Sequence, residues 1–267
     1  MPTTVLEPEA AGLFVAWSAA AAMRQVGAER SVAAIEAGSD GHVVSGLPGR
    51  DVDATMAEAI AWLLDAKPRQ ISLALPVAGD PLGLNGVGSF AEAALLAESG
   101  VLVECTSGWL GFVPEPDLRG SSYQGVRWRV HPTSSASIPA VAAEPQRIVE
   151  QADRALRRAL RDATDALAGV DLARWRDESG AGRGAADAAI RASPHALPPT
   201  WPPPARALAE RALALWRVVR VAALDAGAAS ASGSAVRTAA LRELSHAVRE
   251  AAMTAYNVPA RALLASR

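Results

Sequence analysis

The chain has 267 residues, half of them apolar, which fits one large domain or two modest ones and excludes general intrinsic disorder. Its net charge of −2 is unevenly divided. Residues 1–143 carry 8 basic and 15 acidic side chains, whereas residues 144–267 carry 18 arginines and 13 acids. This reversal of sign indicates a boundary near residue 143. The single cysteine, Cys105, excludes an internal disulfide and a thiolate metal cluster, and it is typical of a cytoplasmic protein.

Two helices are predicted first, over 9–25 and 29–36, from the helical spacing of apolar residues in the first and from Gly38 after the second. The apolar run 12–23 follows two glutamates rather than a basic segment, and its 12 residues are too few to span a bilayer. We therefore expect a protein that is neither secreted nor embedded in a membrane.

Five strands are predicted next, interrupted by two more helices. One helix runs from a capping Asp53 to residue 65, and the other from a capping Ser89 to residue 98. Because helices separate the first three strands, the sheet is expected to be parallel or mixed, with two antiparallel strands added at the end. The predicted strands are 42–45, 70–75, 101–105, 109–113 and 125–130.

Beyond residue 133 the pattern changes to helices only. A Ser-, Ala- and Pro-rich stretch at 134–145 is interpreted as a linker. The helix at 204–224 is apolar on nearly every face, so it is predicted to be central in a bundle, with Trp216 buried there. The other helices of this half are predicted at 146–168, from Asp171 towards 190, and at 235–256.

The fold class that follows is α/β and then all-α. Residues 1–133 are predicted to form an α/β domain, with a small mixed sheet of about 4–5 strands and flanking helices. The linker at 134–145 leads to a helical bundle domain at 146–267.

A Gly- and Pro-rich loop at 76–88 is the best candidate for a binding site. In open α/β sheets ligands bind beyond the carboxyl ends of strands, where the next helix also presents free N–H groups. Asp80, Asn85 and Ser89 are candidate ligand-binding residues on this loop. The alternative interpretation is that glycine and proline only shape a long connection.

A second polar segment, 119–123, offers Arg119 and the hydroxyl of Ser121 for an anionic group. We therefore include both residues in the candidate site of the 76–88 loop. The alternative is a polar hairpin turn whose arginine points to solvent.

Motifs for other chemistry are not found in the sequence. The four histidines lack metal-ligand spacing, neither a phosphate-binding loop nor a G-x-S-x-G motif occurs, and Cys105 lies in an apolar run. No metal and no cofactor are expected. Whether the chain is an enzyme stays open, and no catalytic residue is assigned.

Arginines line two of the predicted helices, with Arg154, Arg158 and Arg161 on one and Arg242, His246 and Arg249 on the other. Interspersed acids make a solvated helix surface the simpler interpretation, so nucleic-acid binding is disfavoured.

The leading hypothesis is a cytoplasmic binding or interaction protein with a protein partner or a second copy of itself, away from membranes. The first alternative is a small-molecule-binding domain or enzyme that uses the 76–89 loop and Arg119. The second alternative is a nucleic-acid-associated protein that uses the arginine-rich bundle.

Overall fold

A computed structural model describes residues 8–84, 86–119, 122–134, 144–171, 196–224 and 231–266. Within these ranges the chain forms a six-stranded mixed sheet and seven helices. The helices are α1 Pro8–Ala22, α2 Ala28–Ile35, α3 Met56–Asp65, α4 Ser89–Ala97, α5 Pro145–Asp171, α6 Pro203–Leu224 and α7 Ala231–Ala265. The strands are β1 His42–Ser45, β2 Ala54–Thr55, β3 Gln70–Ala74, β4 Gly100–Cys105, β5 Gly108–Arg119 and β6 Tyr123–Thr133.

The strand order is β2-β1-β6-β5-β4-β3, and β1 with β6 is the parallel pair. The predicted mixed sheet followed by helices is therefore confirmed, but the count of four to five strands is wrong. The extra strand, β2, has two residues that pair antiparallel with β1, and a strand this short leaves no alternation to recognise in a sequence. The antiparallel arrangement of the last two strands is confirmed.

Both predicted helix caps of the sheet half are wrong. Thr55 caps α3, because its hydroxyl accepts from the Glu58 N–H while the Glu58 carboxylate accepts from the Thr55 N–H. Asp53 instead binds Arg127 of β6 at 2.7 Å. Gly88 is the N-cap of α4, and Ser89 is the first helical residue.

One face of the sheet packs against α1 and the bundle in a continuous apolar core. Phe14 of α1 lies between Phe112 of β5 and Trp128 of β6, with ring centroids 5.3 and 4.9 Å away. The same cluster of buried side chains continues into α5, α6 and α7 through Leu156, Leu208 and others. The opposite face is covered in part by α4, in a smaller cluster around Phe90.

The free edge of the sheet, β3, is occupied by α7. The side-chain amide of Asn257 accepts from the Leu73 N–H at 2.6 Å and donates to the Leu73 carbonyl at 2.9 Å. These two bonds satisfy edge groups that another strand would otherwise pair with. The last helix of the bundle therefore covers part of this edge.

The bundle differs from the sequence prediction at its centre. Trp216 of α6 is only half-buried, with the guanidinium of Arg220 over its ring. Trp201, in the segment before α6, is buried instead, and its Nε1 donates to the Ala255 carbonyl at 3.2 Å. A helix rich in alanine has an apolar pattern on nearly every face, so the sequence did not show that Trp216 lies at the edge of the core.

The final helix runs beyond its predicted end at Tyr256. It continues through Pro259, which has no N–H to donate. The helix persists there because Tyr256, Ala260 and Leu264 are all buried, so packing compensates for the missing bond.

The predicted domain boundary lies at the edge of the described ranges. Residues 135–143 of the predicted linker 134–145, and the helix expected from Asp171 towards 190, lie outside them. Contacts between the two halves include a buried ion pair between Glu9 of α1 and Arg217 of α6, at 2.9 Å. Among the described residues no helix is long and apolar enough to cross a membrane.

Candidate functional site

The loop after β3 begins with a tight turn that presents Asp80. Val77 and Asp80 exchange both backbone hydrogen bonds, at 3.0 and 2.9 Å, and Gly79 between them has a φ of +81°. Further on, Gly83 lies so close to Ala74 and Met253 that a Cβ would meet them within 3.0 Å. The loop is therefore folded back between β3 and α7.

The Asp80 carboxylate is bound by two side chains of α7. Its Oδ2 lies 2.6 Å from His246 Nδ1 and 2.6 Å from Arg249 Nη2, while Arg249 Nη1 donates to the Leu75 carbonyl at 2.8 Å. Partial burial would raise the pKa of Asp80, but these hydrogen bonds and charges outweigh it and lower that pKa. Arg249 is buried and Asp80 is partly exposed, so the pair joins the loop to the bundle at the edge of the core.

A small cleft borders this junction. It is lined by side chains of the loop, the end of α4, α6 and α7, among them Val77, Glu98, Trp216, Arg220 and Ser245. Glu98 and Arg220 close one side through an ion pair of 2.9 Å. The cleft holds about 40 Å³, well below the ~300 Å³ at which pockets for small-molecule ligands begin.

Arg119 lies at the end of β5, seven residues beyond Phe112, which is level with Leu73 in the sheet. Its guanidinium binds Asp117 through Nε and Nη2, and the bond raises the pKa of Arg119 and lowers that of Asp117. It also lies 5.3 Å from the ring centroid of Tyr123.

Three of the five candidate ligand residues lie within the described ranges, and each has a different setting. Asp80 binds α7, Ser89 is exposed at the start of α4, and Arg119 binds Asp117. Asn85 and Ser121 lie outside the described residues. A shared ligand site for these five stays a prediction.

Helix α4 presents an apolar outer side. Phe90 and Ala94 fix its inner side to the sheet; Phe90 packs directly on Gly111, where a Cβ would lie 1.9 Å from its ring. On this outer side Leu96 is 78% exposed and Leu95 36%, and Val87, two residues before the helix begins, is 100% exposed. We call these three residues the α4 outer surface. Glu92 is the one charged residue within α4, so little charge interrupts it.

Within the described ranges, His42 and Cys105 have structural rather than chemical roles. His42 is buried, and its Nδ1 accepts from Trp128 Nε1 at 3.2 Å. Burial raises the pKa of the Cys105 thiol, which keeps it protonated and unreactive. No group of three or more His, Cys, Asp or Glu side chains there could hold a metal ion.

Comparison with known proteins places the chain in a family. Residues 11–146 match the N-terminal domain of Rv1486c-like proteins, and residues 150–253 match their C-terminal domain. The chain belongs to the Rv1486c-like family. A relative from Mycobacterium leprae (strain TN), described as "Uncharacterized protein ML1804", is 29% identical over 261 residues, covering 85% of each chain. No solved structure is significantly similar to the chain.

Two features of this family member escaped sequence reasoning. Asp80 is more than 160 residues away in the sequence from His246 and Arg249, so no local pattern predicts that they pair. The α4 outer surface had a signal in the consecutive leucines 95 and 96, since only one of two neighbours on a short helix readily faces the core.

Proposed function

We propose that this protein is a cytoplasmic interaction protein that binds a protein partner through the α4 outer surface. The observation that carries the proposal is the exposure of Val87, Leu95 and Leu96 within ten residues of chain. Single exposed apolar residues are normal on protein surfaces, but a concentration of them is typical of an interaction site.

The support beneath this surface favours binding. Helix α4 is fixed to the sheet through Phe90 on Gly111, so its leucines are presented on a backbone that is already ordered. Binding to such a surface costs less conformational entropy than ordering a free segment.

Asp80, the charged residue of the loop before α4, is already bound by side chains of α7. Because Asp80 is bound by His246 and Arg249, a ligand at this carboxylate would have to displace two bonds of 2.6 Å. This favours protein binding through α4 over a small-molecule site centred on Asp80. The buried, free Cys105 supports a reducing cytoplasm as the location.

Affinity capture with surface variants tests the proposal. The tagged chain and its Leu96→Glu variant are used to capture proteins from a lysate of the native host, with bound proteins identified by mass spectrometry. Leu118→Glu is the matched control, since Leu118 is also an exposed leucine, 62% accessible, but lies on β5.

We expect a protein that is captured by the wild type and the Leu118 variant and lost with the Leu96 variant. Equal capture by all three would contradict the proposal. So would a purified wild-type chain that is dimeric in sedimentation and monomeric as Leu96→Glu, because the surface would then close on a second copy.

A further inference from the structure

A separate cleft lies between the beginnings of α5 and α6, on a part of the bundle that the proposed function does not use. Its walls combine apolar side chains of Val149, Pro204 and Ala207 with charged side chains of both helices. Its volume is about 280 Å³, enough for one compact polar group. The charged lining is Glu150, Asp153, Arg154, Arg157 and Arg211.

One carboxylate orients two of the three arginines. Asp153 binds Arg157, one turn along α5, at 2.8 Å, and it also binds Arg211 from α6. A guanidinium has five N–H groups, so each arginine keeps donors beyond those that Asp153 accepts. The two planar groups are thereby held at the cleft before any ligand arrives.

Positive charge exceeds negative charge around the cleft. Three arginines face two carboxylates in its lining, and Arg158 and Arg161 continue from Arg154 along the same side of α5 at helical spacing. Within the described ranges, Arg154, Arg158 and Arg161 are exposed and form no ion pair with a carboxylate. The second arginine face predicted from the sequence differs, since His246 and Arg249 bind Asp80.

We propose that the α5–α6 cleft binds a small ligand through a phosphoryl group. Arginine forks match the tetrahedral oxygens of phosphate with paired, charge-assisted hydrogen bonds. Among the described residues, Arg154 is the arginine of the lining that forms no ion pair with an acid, so it supplies the free donor pair, and Arg211 and Arg157 supply the oriented ones.

A nucleic acid fits this surface less well than a small phosphorylated molecule. An extended strand would follow α5 beyond the cleft, where Asp162 and Asp165 are exposed beside the arginines and would repel its phosphates. A group confined to the cleft avoids these carboxylates.

Titration calorimetry with inorganic pyrophosphate at low salt tests the proposal on the full chain. We expect saturable binding, weakened about tenfold or more in Arg154→Gln, the loss that follows from one charged hydrogen bond. Arg242→Gln, an exposed arginine on α7, is the matched control and should bind like the wild type. Circular dichroism checks that the variants are folded.

Three results would overturn the proposal. They are the absence of saturable binding, equal weakening by Arg154→Gln and Arg242→Gln, and a single-stranded oligonucleotide whose affinity grows with length and exceeds that of pyrophosphate. None of these measurements depends on α4, so the failure of this proposal is distinguishable from the failure of the proposed function.

Discussion

Individual side chains in this protein serve mainly to bind distant parts of the chain to one another. His42 and Trp128 join β1 to β6 beneath α1, and Asp80 with Arg249 joins the loop after β3 to the bundle. The His42–Trp128 pair is buried, whereas the Asp80–Arg249 pair is partly exposed at its carboxylate. Each pair depends on one protonation state, so both make stability depend on pH in a defined direction.

His42 should make the protein less stable at mildly acidic pH. Burial lowers the pKa of His42 to about 4, while in the unfolded chain it is near 6.5. The unfolded state therefore binds more protons between these values, and stability falls as the pH drops from about 6.5 towards 4. From pH 7 to pH 5 the loss is about 2 kcal/mol in the free energy of unfolding.

Urea titrations at pH 7 and pH 5 measure this loss. The variant His42→Gln keeps an acceptor for Trp128 and cannot titrate, so its stability should change much less between the two pH values. An equal change in the variant and the wild type would show that other groups are responsible.

The Asp80–Arg249 pair should show strong coupling in a double-mutant cycle. Asp80→Ala leaves a buried guanidinium without its charged partner, so we expect Asp80→Ala, Arg249→Met and their combination to give a coupling of about 1–3 kcal/mol. The pKa of Asp80 is lowered, so the coupling is present above its ordinary pKa of about 4 and is lost as the pH falls through the folded value. The Arg119–Asp117 pair, whose arginine is 54% exposed, is the control and should give at most about 1 kcal/mol.

At the scale of elements, helices and strands hold their places through a few large side chains and one amide. The ring of Trp201 fixes the segment before α6 to α7, Phe90 fixes α4, and Asn257 fixes α7 to the edge of the sheet. Each of these contacts joins elements that are far apart in sequence.

Two tryptophans in the described part of the bundle, Trp201 and Trp216, make a direct comparison. Trp201→Ala should cost about 3–5 kcal/mol, because it removes a fully buried ring and the hydrogen bond to Ala255. Trp216→Ala should cost clearly less, because its ring is half-buried at the surface. Thermal unfolding of the two variants measures both losses of stability. A larger loss in Trp216→Ala than in Trp201→Ala would mean that α6 is rotated so that Trp216 faces the core.

Asn257 gives a prediction for the sheet edge. Asn257→Ala removes both bonds to Leu73, and we expect a cost of about 1–3 kcal/mol together with faster hydrogen exchange at the Leu73 amide. Glu243→Ala, an exposed position on the same helix, is the control. Unchanged exchange at Leu73 would contradict the role given to the amide.

Sequence reasoning succeeds here where structure is local. The helical spacing of residues 146–168 and the alternation of residues 70–75 predicted α5 and β3 because each pattern repeats within its own element. Thr55 rather than Asp53 caps α3, because Thr55 and Glu58 form two reciprocal hydrogen bonds. Asp53 instead binds Arg127, which is 74 residues away in the sequence on β6. The Asp80 network and the orientation of Trp216 depend on packing between distant elements, which no local pattern specifies.

At the scale of the whole molecule, the sheet and the bundle share a core. Apolar side chains from α1, the sheet, α5, α6 and α7 form one continuous cluster, and the buried Glu9–Arg217 pair crosses between the halves. An α/β domain at 1–133 and a bundle at 146–267 remain our proposed division, with a large interface between them. The α4 outer surface lies outside this cluster, because α4 packs on the opposite face of the sheet.

Site-specific photo-crosslinking in the native host tests this assignment most directly. A benzophenone amino acid replaces residue 96 in one variant, and residue 52 or 118 in control variants whose positions are also apolar and exposed. We expect a discrete adduct with another protein from position 96 and none from positions 52 and 118. Adducts of equal yield from all three positions, or none from position 96, would contradict it.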